Sequence, residues 1–262
     1  GVLCHMYRDI AAHRIGTVTH VGLHTFADPR IEGGKLNSKT TEDLVEVINI
    51  FGEERLIYKT RPIDVALIRA TYADETGNIS MHKEVCPCDA TAMAQAARNS
   101  GGIVIVQVER VVKAGSIDPK LVKIPGILVD AVVVSTPEEH QQCFNKDYDP
   151  TLTGEALAPE GAFEPLPLSA KKIIGRRAAM ELTENTVVNL GIGAPEYVSA
   201  VANEEGIGDY MTLTVEAGPI GGIPMGGTQF GGSRNADCYF DQNVMFDFYD
   251  GGGIDLAFLG LA

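Results

Sequence analysis

The sequence predicts an α/β protein made of two similar open-sheet domains. Three observations carry that expectation. β-branched runs alternate with helix-patterned segments along the 262 residues, an order that stacks helices on sheets. A proline-rich acidic stretch divides the chain. A short pattern in the first half returns in the second.

Composition narrows the function classes. The apolar fraction of 45% is ordinary for a folded chain. The net charge of −14 argues against a nucleic-acid groove or an anionic membrane surface as partner. It leaves open a small anionic ligand held by backbone N–H groups. No apolar run approaches the ~18 residues of a membrane helix. Cys4, Cys86, Cys88, Cys143 and Cys238 are odd in number and irregular in spacing. They read as free thiols, with a metal or redox role for Cys86-Pro-Cys88 as the alternative. Free thiols and the lack of a signal peptide predict a cytoplasmic location. The chain reads as an internal fragment, with both domains incomplete: it opens without Met, and Ile254 to Ala262 resembles a strand cut near its end.

Along the first half, Val2 to Ala12 has helical spacing and stops at His13-Arg-Ile-Gly16. Val18 to Phe26 is a weak strand candidate leading into the turn-rich Ala27 to Gly34. Thr41 to Val45 is a short amphipathic stretch, followed by β-branched runs at Val47 to Phe51 and Leu56 to Tyr58. Asp64 to Ala70 is a strand closed by the polar turn Asp74 to Asn78. Thr91 to Asn99, with four alanines, is a helix stopped by Gly101-Gly102. Ile103 to Val112 is the strongest strand of this half, and its β-branched start predicts burial on both faces. Ile127 to Val134 is another strand.

The predicted organisation is a first domain over 1–145, a linker over 146–168 and a second domain over 169–262. The linker is expected to be exposed, because it holds Pro150, Pro159, Pro165 and Pro167 among several acids. Ser169 can cap a helix that runs to about Leu182. Thr186 to Leu190 is a strand, Gly191-Ile-Gly-Ala-Pro-Glu196 a tight loop, and Pro195 to Asn203 a helix. Strand, glycine turn and helix can present backbone N–H groups to a phosphate, or can be a plain tight turn. A third glycine is absent, and Glu196 further opposes a dinucleotide site.

Thr212 to Val215 is a strand that delivers one acid, Glu216, to the glycine-rich loop Gly218-Pro-Ile-Gly-Gly-Ile-Pro-Met-Gly-Gly227. The strand fixes the carboxylate, and Gly218, Gly221 and Gly222 allow close approach to the backbone, an arrangement suited to a nucleophile. The alternative is a charged strand end before a turn. The internal repeat bears on this choice. Asp64 to Ala73 is similar to Asp255 to Ala262, and Phe26-Ala-Asp-Pro29 to Glu216-Ala-Gly-Pro219, with separations of 35 and 36 residues between the paired matches. If the repeat is a duplication, Phe26 stands where Glu216 does, and a site with one acid belongs in the cleft between two related domains.

The run Val188-Asn-Leu-Gly-Ile-Gly-Ala-Pro-Glu-Tyr-Val198 followed by Leu213-Thr-Val-Glu-Ala-Gly-Pro-Ile-Gly-Gly222 resembles family I coenzyme A transferases, most closely their propionate and short-chain acyl-CoA:acetate branch. Tyr72 to Asn78, His140-Gln-Gln142, Leu168 to Arg177 and Phe248-Tyr-Asp-Gly-Gly-Gly253 extend the resemblance over nearly the whole chain. The resemblance implies two α/β domains of the NagB/RpiA-like superfold, with coenzyme A at their junction. It makes Glu216 the nucleophile and places Gly191, Ile192, Gly193, Ala194 and Pro195 in the CoA-binding surroundings. It implies no separate cofactor: coenzyme A is a substrate, covalently bound during turnover. The implied partners are acyl-CoA and short-chain carboxylates, in a homo-oligomer with no nucleic acid and no membrane. An acyl-CoA hydrolase on the same scaffold, and a non-catalytic CoA- or sugar-phosphate-binding module, are the alternatives. His5, His13, His20, His24, His82 and His140 share no metal-ligand spacing, and Asp28 with Arg30 reads as a turn and surface ion pair, with substrate contact as the alternative.

Overall fold

The computed structural model describes residues 1–144, 146–159 and 165–260. They form two compact units. One comprises Gly1–Ser80 with Asp89–Val134, the other Met81–Cys88 with Ser135–Ala262. The chain therefore divides differently from the expected 1–145 and 169–262. The segment Met81–Cys88 leaves the first half of the sequence to join the second unit.

The first unit holds α1 (Val2–Ala11), β1 (Gly16–Thr19), β2 (Val45–Ile50), β3 (Glu53–Lys59), β4 (Val65–Arg69), β5 (Tyr72–Asp74), β6 (Ile79–Ser80), α2 (Ala90–Asn99), β7 (Ile103–Val108), β8 (Arg110–Val112), β9 (Val122–Ile124) and β10 (Ala131–Val134). Three open sheets result, in the orders β1-β3-β2, β10-β7-β4 and β8-β5-β6-β9. The β10-β7-β4 sheet is parallel throughout. Ala92, Ala94, Ala96 and Ala97 of α2 are buried together with Val104, Val106 and Val108 of β7. Side chains this small let the helix lie close to the sheet.

Several expectations change here. The run from Ile103 to Val112 is two strands in two sheets, because Glu109 turns away and its N–H goes to the Thr71 carbonyl. β7 is buried on alternate residues, not on both faces. The opposite face carries exposed Leu67, Ile103 and Val133, and an open pocket of about 280 Å³ lies on it. Strand character after Val18 ends at Thr19, and turns follow. Of the expected strand from Ile127, only Ala131–Val134 pairs; Gly126–Leu128 is a 3-10 turn.

The second unit holds α3 (Ala170–Ala179), β11 (Thr186–Leu190), α4 (Tyr197–Glu204), β12 (Met211–Thr214), β13 (Pro219–Ile220), β14 (Ile223–Pro224), β15 (Ser233–Arg234), β16 (Cys238–Tyr239), α5 (Gln242–Asp250) and β17 (Leu256–Phe258). Its main sheet has the order β16-β13-β12-β11-β17, and β11 is parallel to both β12 and β17. Ser169 caps α3 by accepting the Lys172 N–H, satisfying one of the donors left open at a helix start. Ala179, Leu182, Val188, Leu190, Val198, Val201, Ala202 and Leu213 form one core, closing α3 and α4 over β11 and β12. Asp247 and Asp250 lie in α5, and Gly251 to Gly253 turn the chain into β17.

Part of the expected linker is anchored: residues 149–153 are buried or half-buried, whereas residues 154–157 are exposed as expected. Leu152 is fully buried, and the Tyr239 hydroxyl donates to its carbonyl. Asn235 exchanges two hydrogen bonds with Ala158 through its side-chain amide. Asp149 accepts from Thr151 and Arg234. Burial pushes the Asp149 carboxyl up, but Thr151, Lys146 and Arg234 together hold it down at about 2. Residues 160–164 of that linker lie outside the described residues. No helix among the described residues is long and apolar enough to cross a membrane.

Candidate active site

β11 and β12 run side by side in the same direction, with Asn189 opposite Thr214. Two residues beyond each of these positions lies one of the loops singled out in the sequence. Gly191 follows Asn189, and Glu216 follows Thr214. Both loops therefore leave the carboxyl end of adjacent parallel strands, the edge where open α/β sheets take ligands.

Glu216 sits in a three-residue hairpin loop. The Val215 N–H donates to the Pro219 carbonyl, and the Gly218 N–H returns to the Val215 carbonyl. β12 then pairs antiparallel with β13, Thr214 opposite Ile220. A loop of this length needs a residue with positive φ at its end, and Gly218 has φ 134°. A methyl group on Gly218 would lie 2.1 Å from the Phe240 carbonyl oxygen. Gly221 and Gly222 are held the same way, with φ of 77° and 68° against Asp237 and the Arg234 carbonyl. The space these three glycines leave is filled by the chain itself. They fix the loop onto residues 234–240, in contrast to the open approach expected from their clustering.

The carboxylate of Glu216 is half-buried, and its Oε2 is buried without accepting a hydrogen bond from any described residue. Beneath it lies a polar chain that the sequence reasoning missed. Asn189 Nδ2 donates to the Thr214 carbonyl at 3.2 Å and to the Tyr249 hydroxyl at 3.4 Å. The Tyr249 hydroxyl donates to Thr214 Oγ1 at 2.8 Å, and Thr214 Oγ1 donates to the Val188 carbonyl at 3.3 Å. Burial pushes the Tyr249 phenol above its ordinary pKa, and the neighbouring Glu216 charge acts in the same direction. Tyr249 thus stays a protonated donor. The available signal was Asn189 itself, one amide inside the apolar run Thr186-Val-Val-Asn-Leu190. A buried amide requires partners. Tyr249, about two helical turns into α5, carried no such signal.

The Gly191–Pro195 loop is tighter than a bare glycine turn. The Gly191 N–H donates to the Phe258 carbonyl of β17. Gly193 has φ 92°, and its N–H donates to Glu196 Oε1 at 2.9 Å. Ala194–Glu196 is a 3-10 turn leading into α4, with Pro195 buried and Ile192 exposed. One N–H expected to face a phosphate is thus taken by the chain's own carboxylate. Glu196 in turn packs against Gly226, where a methyl group would lie 2.5 Å from Oε2. The Gly191 loop and the far end of the Glu216 loop are thereby in contact.

Comparison with known proteins matches this architecture. The model of the coenzyme A transferase family matches residues 5–135. The chain is 50% identical to the caffeate CoA-transferase of Acetobacterium woodii, covering 100% of this chain and 50% of that protein. It is 42% identical to the acetate CoA-transferase YdiF of Escherichia coli (strain K12), covering 100% and 49%. The crystal structure of the acyl-CoA transferase YdiF apoenzyme from Escherichia coli O157:H7 superposes with TM-score 0.90 at 40% identity, over 98% of this chain and 47% of that one. A thioester complex of that enzyme with CoA superposes with TM-score 0.87 at 40% identity, over 98% and 50%. The chain spans about half the length of the curated relatives it matches. With its two open α/β sheet units and a family match over residues 5–135, the chain belongs to the family I coenzyme A transferases.

Proposed function

We propose that the protein exchanges coenzyme A between short-chain carboxylic acids of the acetate and propionate type, through a covalent intermediate on Glu216. The observation that carries this is the carboxylate oxygen Oε2 of Glu216, buried and without a hydrogen-bond donor. A desolvated carboxylate without partners costs stability, since an unsatisfied buried acceptor typically loses ~1–3 kcal/mol and a charged one more. Such a group is retained where its lone pair has a task. The crystal structure of one relative is a thioester complex with CoA, which supports the same chemistry.

The steps follow from carboxylate and thioester chemistry. The Glu216 carboxylate attacks the carbonyl carbon of the donor acyl-CoA. The C–S bond breaks, leaving a mixed anhydride and the CoA thiolate. The thiolate attacks the Glu216 carbonyl and expels the donor acid as its carboxylate, leaving Glu216 as a CoA thioester. An acceptor carboxylate then runs both steps in reverse and leaves as the new acyl-CoA. One thioester is broken and one is made, so the exchange is close to isoenergetic, and no hydrolysis is required. Gly191, Ile192, Gly193, Ala194 and Pro195 border the reacting edge as CoA-binding surroundings, and the turn at Gly218, Gly221 and Gly222 holds Glu216 in place. Each tetrahedral intermediate needs N–H donors, and losing one typically costs ~10²–10³ in rate.

The test is covalent. The protein is incubated with acetyl-CoA or propionyl-CoA and its intact mass measured, with peptide mapping. The expected result is a CoA-sized adduct on Glu216 that is absent in Glu216→Ala. Normal turnover in that variant would sink the mechanism. Thiol release that does not depend on added carboxylate would assign a hydrolase instead. A panel of acetate, propionate and caffeate as acceptors fixes the acid, and preference for caffeate would overturn the short-chain assignment.

A further inference from the structure

The segment that crosses from the first half of the sequence into the second unit ends in Cys86-Pro-Cys88. The two thiol sulfurs lie 3.3 Å apart and share a hydrogen bond, and both residues are half-buried. Two features force this approach. Pro87 fixes its own φ near about −65°. Cys88 has φ 46°, a left-handed conformation that non-glycine residues seldom adopt. That turn folds the Cys88 side chain back toward Cys86. A disulfide needs its sulfurs at ~2.05 Å and tolerates a narrow range of Cα separations, so a residue pair already brought together closes with little backbone movement.

We propose that Cys86 and Cys88 form a reversible dithiol–disulfide site that takes low-molecular-weight disulfides as its oxidant. The inference rests on this geometry and is independent of the function assigned to Glu216. The hydrogen bond between the two sulfurs, together with burial, pushes the Cys86 thiol up and makes Cys88 the better first attacker. The Cys88 thiolate attacks one sulfur of the oxidant; its S–S bond breaks and one small thiolate leaves. Cys86 then gives up its proton and attacks Cys88 Sγ, displacing the second small thiolate. The protein loses two electrons and two protons. The oxidant gains both and leaves as two thiols.

The site is coupled to the Glu216 loop by direct contact. Pro87 Cδ would lie 3.5 Å from a methyl group on Gly218. The Cys88 carbonyl accepts the N–H of Gln242, the first residue of α5, at 3.0 Å. Closing the sulfur gap by ~1.2 Å therefore pulls on the Gly218 turn and on the start of α5.

The experiment treats the native protein with oxidised glutathione, blocks remaining thiols, and maps peptides by mass spectrometry. The expected product lacks two hydrogens within the peptide spanning 86–88, carries no glutathione, and reverts with dithiothreitol. Hydrogen exchange of the oxidised protein should change at residues 215–222 and in the first turn of α5. Cys86→Ser should stop at a glutathione adduct on Cys88. A stable glutathione adduct on the unsubstituted protein, or a bridge to Cys143 or Cys238, would overturn the site. An 86–88 bridge with unchanged exchange at 215–222 would overturn the coupling.

Discussion

Two loops in this molecule each follow a short strand and each carry one carboxylate out of water. In the first unit, Asp28 follows β1; in the second, Glu216 follows β12. Their surroundings are opposite. Asp28 is 1% exposed and accepts from the N–H groups of His24 and Arg30 and from Nε and Nη2 of the Arg30 guanidinium. Arg30 also reaches Glu54, so the cation is itself held in place. Glu216 has a buried oxygen with no such donor. A carboxylate whose lone pairs are all engaged ties a loop together and has little left for chemistry. One held in place but left unsatisfied is available to a substrate.

The largest expected effect lies at Glu216. Glu216→Gln keeps the side-chain shape and removes the proposed nucleophile. CoA exchange should fall by about 10⁴-fold or more, as for other nucleophile deletions. The Tm of the same variant should hold or rise, because a desolvated charge is replaced by a neutral amide. Steady-state kinetics beside a thermal melt separate the two. A parallel loss of Tm and activity would make Glu216 a structural carboxylate like Asp28.

The turns that carry the two acids should respond unequally to one methyl group. Gly218 and Gly34 both have positive φ, at 134° and 74°. A methyl group on Gly34 meets nothing within 4 Å, whereas on Gly218 it meets a carbonyl at 2.1 Å. Gly34→Ala should cost about 1 kcal/mol, the backbone penalty alone. Gly218→Ala should cost about 3 kcal/mol or more, since backbone must move. Denaturant melts of the two variants measure the difference, and equal costs would contradict the packing of the Gly218 turn.

At Asp28 the prediction concerns pH. Hydrogen bonds from Arg30 hold its carboxyl well below the usual carboxylate range. In the unfolded chain it returns to about 3.9. The folded state thus binds this proton more weakly, so the stability it supplies is fully present above about pH 4 and is lost as pH falls through the folded value. Asp28→Asn should lower Tm at neutral pH and flatten the acid limb of the Tm profile below about pH 4. CoA exchange by the folded variant should persist. Loss of exchange at unchanged Tm would move Asp28 into substrate contact.

The same contrast explains what the sequence could and could not disclose. α2 and α3 were readable because each is bounded by local chemistry, the Gly101-Gly102 stop and the Ser169 cap. Glu216 was readable as an acid at the root of a glycine loop. Which neighbour fills each glycine's space was not, because Phe240, Asp237 and Arg234 arrive from a later hairpin. The anchoring of residues 149–158 was hidden for the same reason: their partners, Arg234, Asn235 and Tyr239, lie about 80 residues away in sequence. The split of Ile103 to Val112 was invisible because β-propensity does not say which sheet a strand joins.

The smallest effect should come from the polar chain beneath Glu216. Tyr249→Phe keeps the ring and deletes the hydroxyl that joins Asn189 to Thr214. Asn189 retains the Thr214 carbonyl as a partner, so no amide is stranded. One neutral hydrogen bond is worth ~0.5–1.5 kcal/mol, equivalent to about 2- to 10-fold in rate. The Tyr249 hydroxyl does not itself touch Oε2 within hydrogen-bonding geometry, since that oxygen has no partner. It acts by fixing Thr214, two residues before Glu216. A positioning role of this kind lowers kcat and leaves KM nearly unchanged, with yield of the CoA adduct on Glu216 intact but slower to form. If KM rises instead while kcat holds, Tyr249 contacts the substrate, and the chain Asn189–Tyr249–Thr214 is part of a binding surface and not a support for the acid.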